Sequence, residues 1–263
     1  MAEELILCEV DGRGVARITL NRPEIHNAFN DEIIAGMTRR LRDLERDPAV
    51  RLVVITGAGK SFSAGGDLNW MRGMAGYSDE QNREDALRLA DLMHTLDRFA
   101  KPTIARVNGA AFGGGVGLIA CCDIAVAAEH AVLCLSEVRI GLAPAVISPF
   151  VVRAMGARQA RRFFLTAERI AAPDAKAVGL LHEVVPAQQL DSAVDGFVDL
   201  FLLGGPDAIR EGKSLIAFVE GENDRTVWRE ETARRVAAMR ASGEGQEGLS
   251  AFLEKRKPNW ITA

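Results

Sequence analysis

The sequence predicts an α/β fold with a mainly parallel sheet, followed by a helical C-terminal segment. Three observations carry this. Through the first two-thirds, short apolar runs alternate with glycine-bearing loops and segments of helical periodicity. After about Leu190 the strands give way to long helical patterns. The chain has 263 residues, 48% apolar and 26% charged, as expected of a globular protein with one large domain or a domain with a helical extension.

"LILCEV" and "VARITL" flank "DGRG", the pattern of a β-hairpin. Ile33, Ile34, Met37, Leu41 and Leu44 then recur at helical spacing, with Asn30 as N-cap and Asp31 and Glu32 in the first turn. "RLVVIT" reads as a short buried strand running into the loop "GAGKSFSAGGD". Ser78-Asp79-Glu80-Gln81 is a capping box and opens a helix to about Phe99. "TIARV" reads as a strand, "NGAAFGGG" as a loop, "VGLIACC" as a helix, and "DIAVA" and "AVLCL" as strands. "HEVV" is the last strand signal. This divides the chain into a core, 1–190, and a helical segment, 191–263, expected to pack on a neighbouring subunit.

A net charge of −4 gives no general drive toward nucleic acid or membrane. Cys8, Cys121, Cys122 and Cys134 follow no metal-ligand spacing and read as buried thiols in a reducing compartment, the cytoplasm. "MAEELILCEV" has neither the basic region nor the apolar run of a secretion signal, and no stretch is long and apolar enough for a membrane span.

Four glycines fall within five positions at Gly113-Gly114-Gly115-Val116-Gly117, a costly run at a helix start. Three chemistries compete for glycine loops here. A P-loop at Gly59-Lys60-Ser61 would need glycine at position 54, which is Val54. Gly115-Val116-Gly117-Leu118-Ile119-Ala120 matches a dinucleotide fingerprint with Glu137 twenty residues on, but more than a hundred residues precede it and "NGAAF" separates it from its strand. An oxyanion hole is the third. Glycine leaves a backbone N–H open to close approach, and a helix N-terminus adds its dipole. "FGGGVGL" and "SFSAGGDLNW" each offer such N–H groups.

These loops, with "LNRPEIHNAF", "VVITGAGKSFSAGGDLNWM", "KPTIARVNGAAFGGGVGLIACCDIAVA", "LSEVRIGLAPA" and "RRFFLTAERIAAPDAKAVGLLHEVV", resemble the crotonase family of enoyl-CoA hydratases and isomerases over most of the chain. The resemblance implies a spiral of β-β-α units, a homotrimer or dimer of trimers, an acyl-CoA thioester substrate and no separate cofactor. It implies that the N–H groups of Gly66 and Gly114 hold the thioester oxygen, with Ala64, Gly65, Leu68 and Gly113 lining the site. Many hydratases of the family carry two catalytic glutamates. One position is Glu137; the other is Gly117, where the glycine removes an acid and is expected to leave a gap for a bulkier acyl group. "GGGVGL…CCDIA", "LSEVRIGL" and "DLNWM" are most similar to bacterial methylglutaconyl-CoA and isohexenylglutaconyl-CoA hydratases, whose substrates are branched and carry a second carboxylate.

The expected activity is hydration of such an enoyl-CoA by Glu137 alone. A Δ3–Δ2 isomerase with the same glutamate, a nicotinamide dehydrogenase and a non-catalytic acyl-CoA-binding subunit are the alternatives. Without the resemblance, Glu137 reads as an ion-pair partner of Arg139 or another cation. Arg139 is then a packing residue or, more sharply, the group that binds a distal carboxylate. Asp67 reads as the cap of a helix from Leu68, and Trp70 and Met71 as core or acyl-pocket lining. His26 is a loop residue near the CoA path, and Lys60 an exposed loop lysine. Lys255 and Lys257 lie in a basic run that the resemblance brings toward the nucleotide end of CoA.

Overall fold

The computed structural model describes residues 4–261. They form two compact units. The first runs to Phe99 and takes in Thr103–Asp195; the second takes Ala100–Pro102 and the chain from Gly196 on.

In the first unit, β1 (Ile6–Val10) and β2 (Val15–Leu20) pair antiparallel, Ile6 opposite Leu20. Asp11 closes their turn by accepting the N–H groups of Arg13 and Val15 at 2.8 and 3.0 Å. Helix α1 (Asp31–Arg46) starts at Asn30, whose side chain accepts the Ile33 N–H at 3.0 Å, and buries Ile33, Ile34, Met37, Leu41 and Leu44. A three-part repeat then begins. β3 (Leu52–Gly57) and β4 (Ser61–Ser63) lead to α2 (Leu68–Met74) and α3 (Asp79–Asp97). β5 (Thr103–Val107) and β6 (Ala110–Phe112) lead to α4 (Gly114–Cys121). β7 (Ile124–Ala128) and β8 (Val132–Cys134) lead through a 3₁₀ turn, Glu137–Ile140, to α5 (Ser148–Thr166). β9 (Ile170–Ala171), α6 (Ala172–Ala177) and β10 (Glu183–Val185) follow.

The first strand of each repeat joins a large sheet, β1-β2-β3-β5-β7-β10, parallel from β2 onward. The second joins a small sheet, β4-β6-β8-β9, in which β9 alone is antiparallel. This is a spiral of β-β-α units. β3 is buried at every residue, as an interior parallel strand must be. β4 and β6 lie in stretches that read as loops from sequence. Three residues are too few to display a strand period, and β9, with two, gives no signal either.

The helical C-terminal segment is as the sequence predicts. α7 (Leu190–Leu203) is followed by α8 (Pro206–Gly221), α9 (Arg225–Ala241) and α10 (Gly243–Leu253). Within the second unit the Glu244 carboxylate accepts the first N–H groups of α8, from Asp207 and Ala208, at 2.9 and 2.7 Å. Arg235 pairs with Glu211 and Glu231. No disulfide joins the cysteines, and Cys121, Cys122 and Cys134 are buried. Among the described residues no helix is long and apolar enough to cross a membrane.

Candidate active site

The small sheet brings two loops together. After β4, Ala64 N–H donates to His26 O at 2.9 Å, Phe29 N–H to Gly65 O at 2.6 Å, and Asp67 N–H to Phe29 O at 2.8 Å. Gly66 sits between the last two bonds, and its own N–H finds no acceptor among the described residues. After β6, Gly113 N–H donates to Cys134 O at 2.9 Å, and Gly113 O accepts from Val116 and Gly117. Gly114 opens α4, and its N–H is likewise left without an acceptor. A Cβ on Gly65 would stand 2.8 Å from Phe112 O and 3.6 Å from Gly114 N, so the two loops touch. Gly65 and Gly113 also have positive φ, 83° and 49°, which a side chain would strain.

Each further glycine of the run meets a specific neighbour. A Cβ on Gly114 would lie 2.8 Å from Phe29 Cε2, and one on Gly115 2.7 Å from Ser63 O. At Gly117 the expected gap does not exist. A Cβ there would overlap Ile147 Cγ2 and lie 3.0 Å from Ile147 Cβ and 3.2 Å from Met93 Cε. Both residues are buried, Ile147 just before α5 and Met93 on α3. The acid missing at Gly117 is therefore replaced by close packing of α4 against its neighbours. This helix seats its glycines tightly, and the dinucleotide fingerprint they spell is not a phosphate loop: Gly115 and Gly117 lie inside α4.

Glu137 starts the 3₁₀ turn after β8, and its Oε1 lies 3.1 Å from where a Gly113 Cβ would be. Its Oε2 is buried with no hydrogen-bond partner. Burial pushes its carboxyl above the ordinary range, against a smaller opposing backbone hydrogen bond. The ion pair with Arg139 expected from spacing is not formed. The exposed Arg139 instead donates from Nη2 to Ala167 O at 2.7 Å.

Asp67 caps α2, accepting the Asn69 N–H at 2.7 Å. Its other oxygen pairs with Arg22 Nη2 at 2.9 Å. Burial raises the Asp67 carboxyl, but hydrogen bonds from Asn69, Arg22 and Trp70 outweigh that and hold it below the usual range. Leu68 is 70% exposed. Trp70 and Met71 pack beside Gly66, with Met71 Sδ 3.3 Å and Trp70 Cζ3 4.0 Å from its Cβ position, and the Trp70 indole N–H is buried without a partner. His26 has φ 56° and bonds Ser61 Oγ through Nδ1 at 2.9 Å. Lys255 and Lys257 are exposed in the second unit. Sequence reasoning missed Arg22, Phe29, Met93 and Ile147. Arg22 and Phe29 lie in "LNRPEIHNAF", so their loop was visible; nothing in the sequence marks Met93 or Ile147.

Two backbone N–H groups without acceptors among the described residues, one at a helix start, lie in loops beside a carboxyl whose buried Oε2 has no partner, an arrangement that can steady an oxyanion and move a proton next to it. The chain belongs to the enoyl-CoA hydratase/isomerase family, whose model matches residues 11–262. It is 36% identical to a putative enoyl-CoA hydratase of Thermus thermophilus over 97% of this chain and all of that one. It is 34% identical to a crotonyl-CoA hydratase of Syntrophomonas wolfei over the full length of both. An enoyl-CoA hydratase of Shewanella pealeana superposes with a TM-score of 0.94 at 46% identity, covering 98% of this chain and 97% of that one.

Proposed function

We propose that this enzyme adds water across the α,β double bond of an enoyl-CoA, with Glu137 as its one acid/base. The thioester oxygen accepts the Gly66 and Gly114 N–H groups. The Glu137 carboxylate takes a proton from water as the oxygen of that water bonds to the β-carbon. The double-bond electrons move to the thioester oxygen as an enolate, which the two N–H groups and the α4 dipole stabilise. Protonated Glu137 then returns a proton to the α-carbon, and the thioester re-forms. The reaction needs no metal or organic cofactor. The observation that carries this reading is the buried, unpartnered Oε2 of Glu137 beside Gly113. A raised carboxyl suits both halves of the cycle, since it is a stronger base toward water and still an acid toward the enolate.

The filled space at Gly117 favours a second reading. Moving a double bond from Δ3 to Δ2 needs one base and no bound water, and the apolar packing of Ile147 and Met93 on Gly117 leaves no second acid there. The branched, carboxylated substrate, 3-methylglutaconyl-CoA or isohexenylglutaconyl-CoA, rests on the sequence resemblance alone. Exposed Ile216, Phe252 and Leu253, at 64%, 81% and 77%, support assembly into trimers, and four cysteines without disulfides suit a cytoplasmic setting.

Mass spectrometry of crotonyl-CoA and 3-methylglutaconyl-CoA after incubation tests the reading. A product heavier by one water supports the hydratase. An unchanged mass with a moved double bond, starting from a Δ3 substrate, replaces it with the isomerase.

A further inference from the structure

The pair Arg22–Asp67 is an unusual expense for a helix cap. Capping α2 uses only Asp67 Oδ1. The second oxygen is buried against Arg22, with side chains 8% and 16% exposed. A buried ion pair is a weak source of stability because both ions lose their water. What this one does have is a defined path to Gly66.

Arg22 Nη1 donates to Ala28 O at 3.0 Å. Ala28 O and Phe29 N belong to one peptide plane, and Phe29 N–H donates to Gly65 O at 2.6 Å. Gly65 O and Gly66 N belong to the next such plane. In a trans peptide the N–H points opposite to the C=O. Pinning Gly65 O therefore fixes the direction of Gly66 N–H, which has no side chain of its own to hold it. The two planes form a hydrogen-bonded relay from the guanidinium to the open Gly66 donor. Each bond polarises the next, so the cation strengthens the donor at the far end. Asp67 holds Arg22 in place and, through its N–H to Phe29 O, closes the other side of Gly66. Asn27, fully buried, anchors the same loop by accepting Arg22 N–H at 2.9 Å and donating to Ser61 O at 2.8 Å.

We propose that Arg22 is a positioning residue that aims and polarises the Gly66 N–H through the Ala28–Phe29 and Gly65–Gly66 peptides, with Asp67 as its anchor. This rests on the reading that Gly66 N–H contacts the thioester oxygen.

The test is optical. A conjugated aryl-enoyl thioester such as cinnamoyl-CoA absorbs further to the red when hydrogen bonds polarise its carbonyl. Wild type, Arg22→Met, Arg22→Lys and Asp67→Asn would each be saturated with cinnamoyl-CoA, after circular dichroism has verified folding. Arg22→Met is expected to cut the red shift by about half and to lower kcat roughly 10- to 100-fold, less than outright loss of an oxyanion donor, with KM within threefold. Arg22→Lys keeps the charge without the fork and should fall between. Asp67→Asn keeps the cap and should also reduce the shift; it decides the matter if Arg22→Met does not fold. A wild-type shift retained in full by the folded variants overturns the relay. No shift in wild type overturns the oxyanion reading itself.

Discussion

The two loops that meet at the site are held in different proportions by bonds and by contact. The loop at 64–67 is held by bonds: an ion pair, a cap, and backbone hydrogen bonds to Phe29 on both sides of Gly66. The loop at 113–117 has backbone bonds through Gly113 but is otherwise held by contact. Its glycines press on Phe29, Ser63 and Ile147, with no side-chain hydrogen bond at the cap. A loop held by bonds is tuned by side chains elsewhere and yields to charge and pH. A loop held mainly by contact is less sensitive to both. Glu137 stands beside the second loop, and in the proposed reaction it works with the Gly66 donor of the first.

The largest effect tests the carboxylate that both loops serve. Glu137→Gln is expected to lower kcat by about 10²–10⁴-fold, the range of a lost general acid/base, with little change in binding of a saturated acyl-CoA. It should also stabilise the fold at neutral pH. The raised carboxyl holds its proton more tightly folded than unfolded, so its contribution is fullest below the ordinary glutamate value and is lost as pH rises through the folded one. Melting curves of wild type and variant should converge in acid and separate toward neutrality. Convergence at neutral pH instead would mean that the burial costs nothing.

Next comes the contact-held loop. Gly117→Glu supplies the second acid that the resemblance implies, but its side chain must enter the space of Ile147. Overpacking costs about 1–3 kcal/mol or more, so urea melts should show a clear loss. Gly117→Glu with Ile147→Ala should recover part of it, while Ile147→Ala alone leaves a cavity and loses stability. Failure of the double variant to improve on Gly117→Glu would show that the acid is rejected for its charge and not its volume.

How much of this was legible in the sequence follows the same division. The capped helices, the hairpin and the buried strands were readable because each has a local signature, such as Asn30 before Ile33 or Ser78 with Gln81. The loops carrying Gly66 and Gly114 were readable because close approach demands glycine. The occupant opposite a glycine is not local information. Ile147 reaches Gly117 across thirty residues, and only packing places it there, so the absent acid read as empty space. Arg139 misled for a related reason: two residues from Glu137 in sequence, it turns to Ala167 in space.

The bond-held loop should yield first in acid. Despite its burial, Asp67 is held below the usual carboxylate range by the hydrogen bonds from Asn69, Arg22 and Trp70, so it adds stability above that range and loses it as pH falls through the depressed value. Amide exchange near pH 3 should therefore quicken at Phe29 and Asp67 before it does at Val116 and Gly117. Simultaneous opening would remove the distinction between the loops.

Arg139→Ala is expected to do least, and its value lies in what it separates. An arginine that only steadies Ala167 O contributes about 1 kcal/mol through that bond, and its removal should change kcat/KM for crotonyl-CoA and 3-methylglutaconyl-CoA by the same small factor, at most about fivefold on that scale. An arginine that swings from Ala167 to a distal carboxylate would behave otherwise. Losing a charge-assisted bond of about 1.5–3 kcal/mol would raise KM roughly tenfold or more for the dicarboxylic substrate alone. The ratio of the two effects, not the size of either, then decides whether the turn that carries Glu137 also reads the far end of the acyl chain.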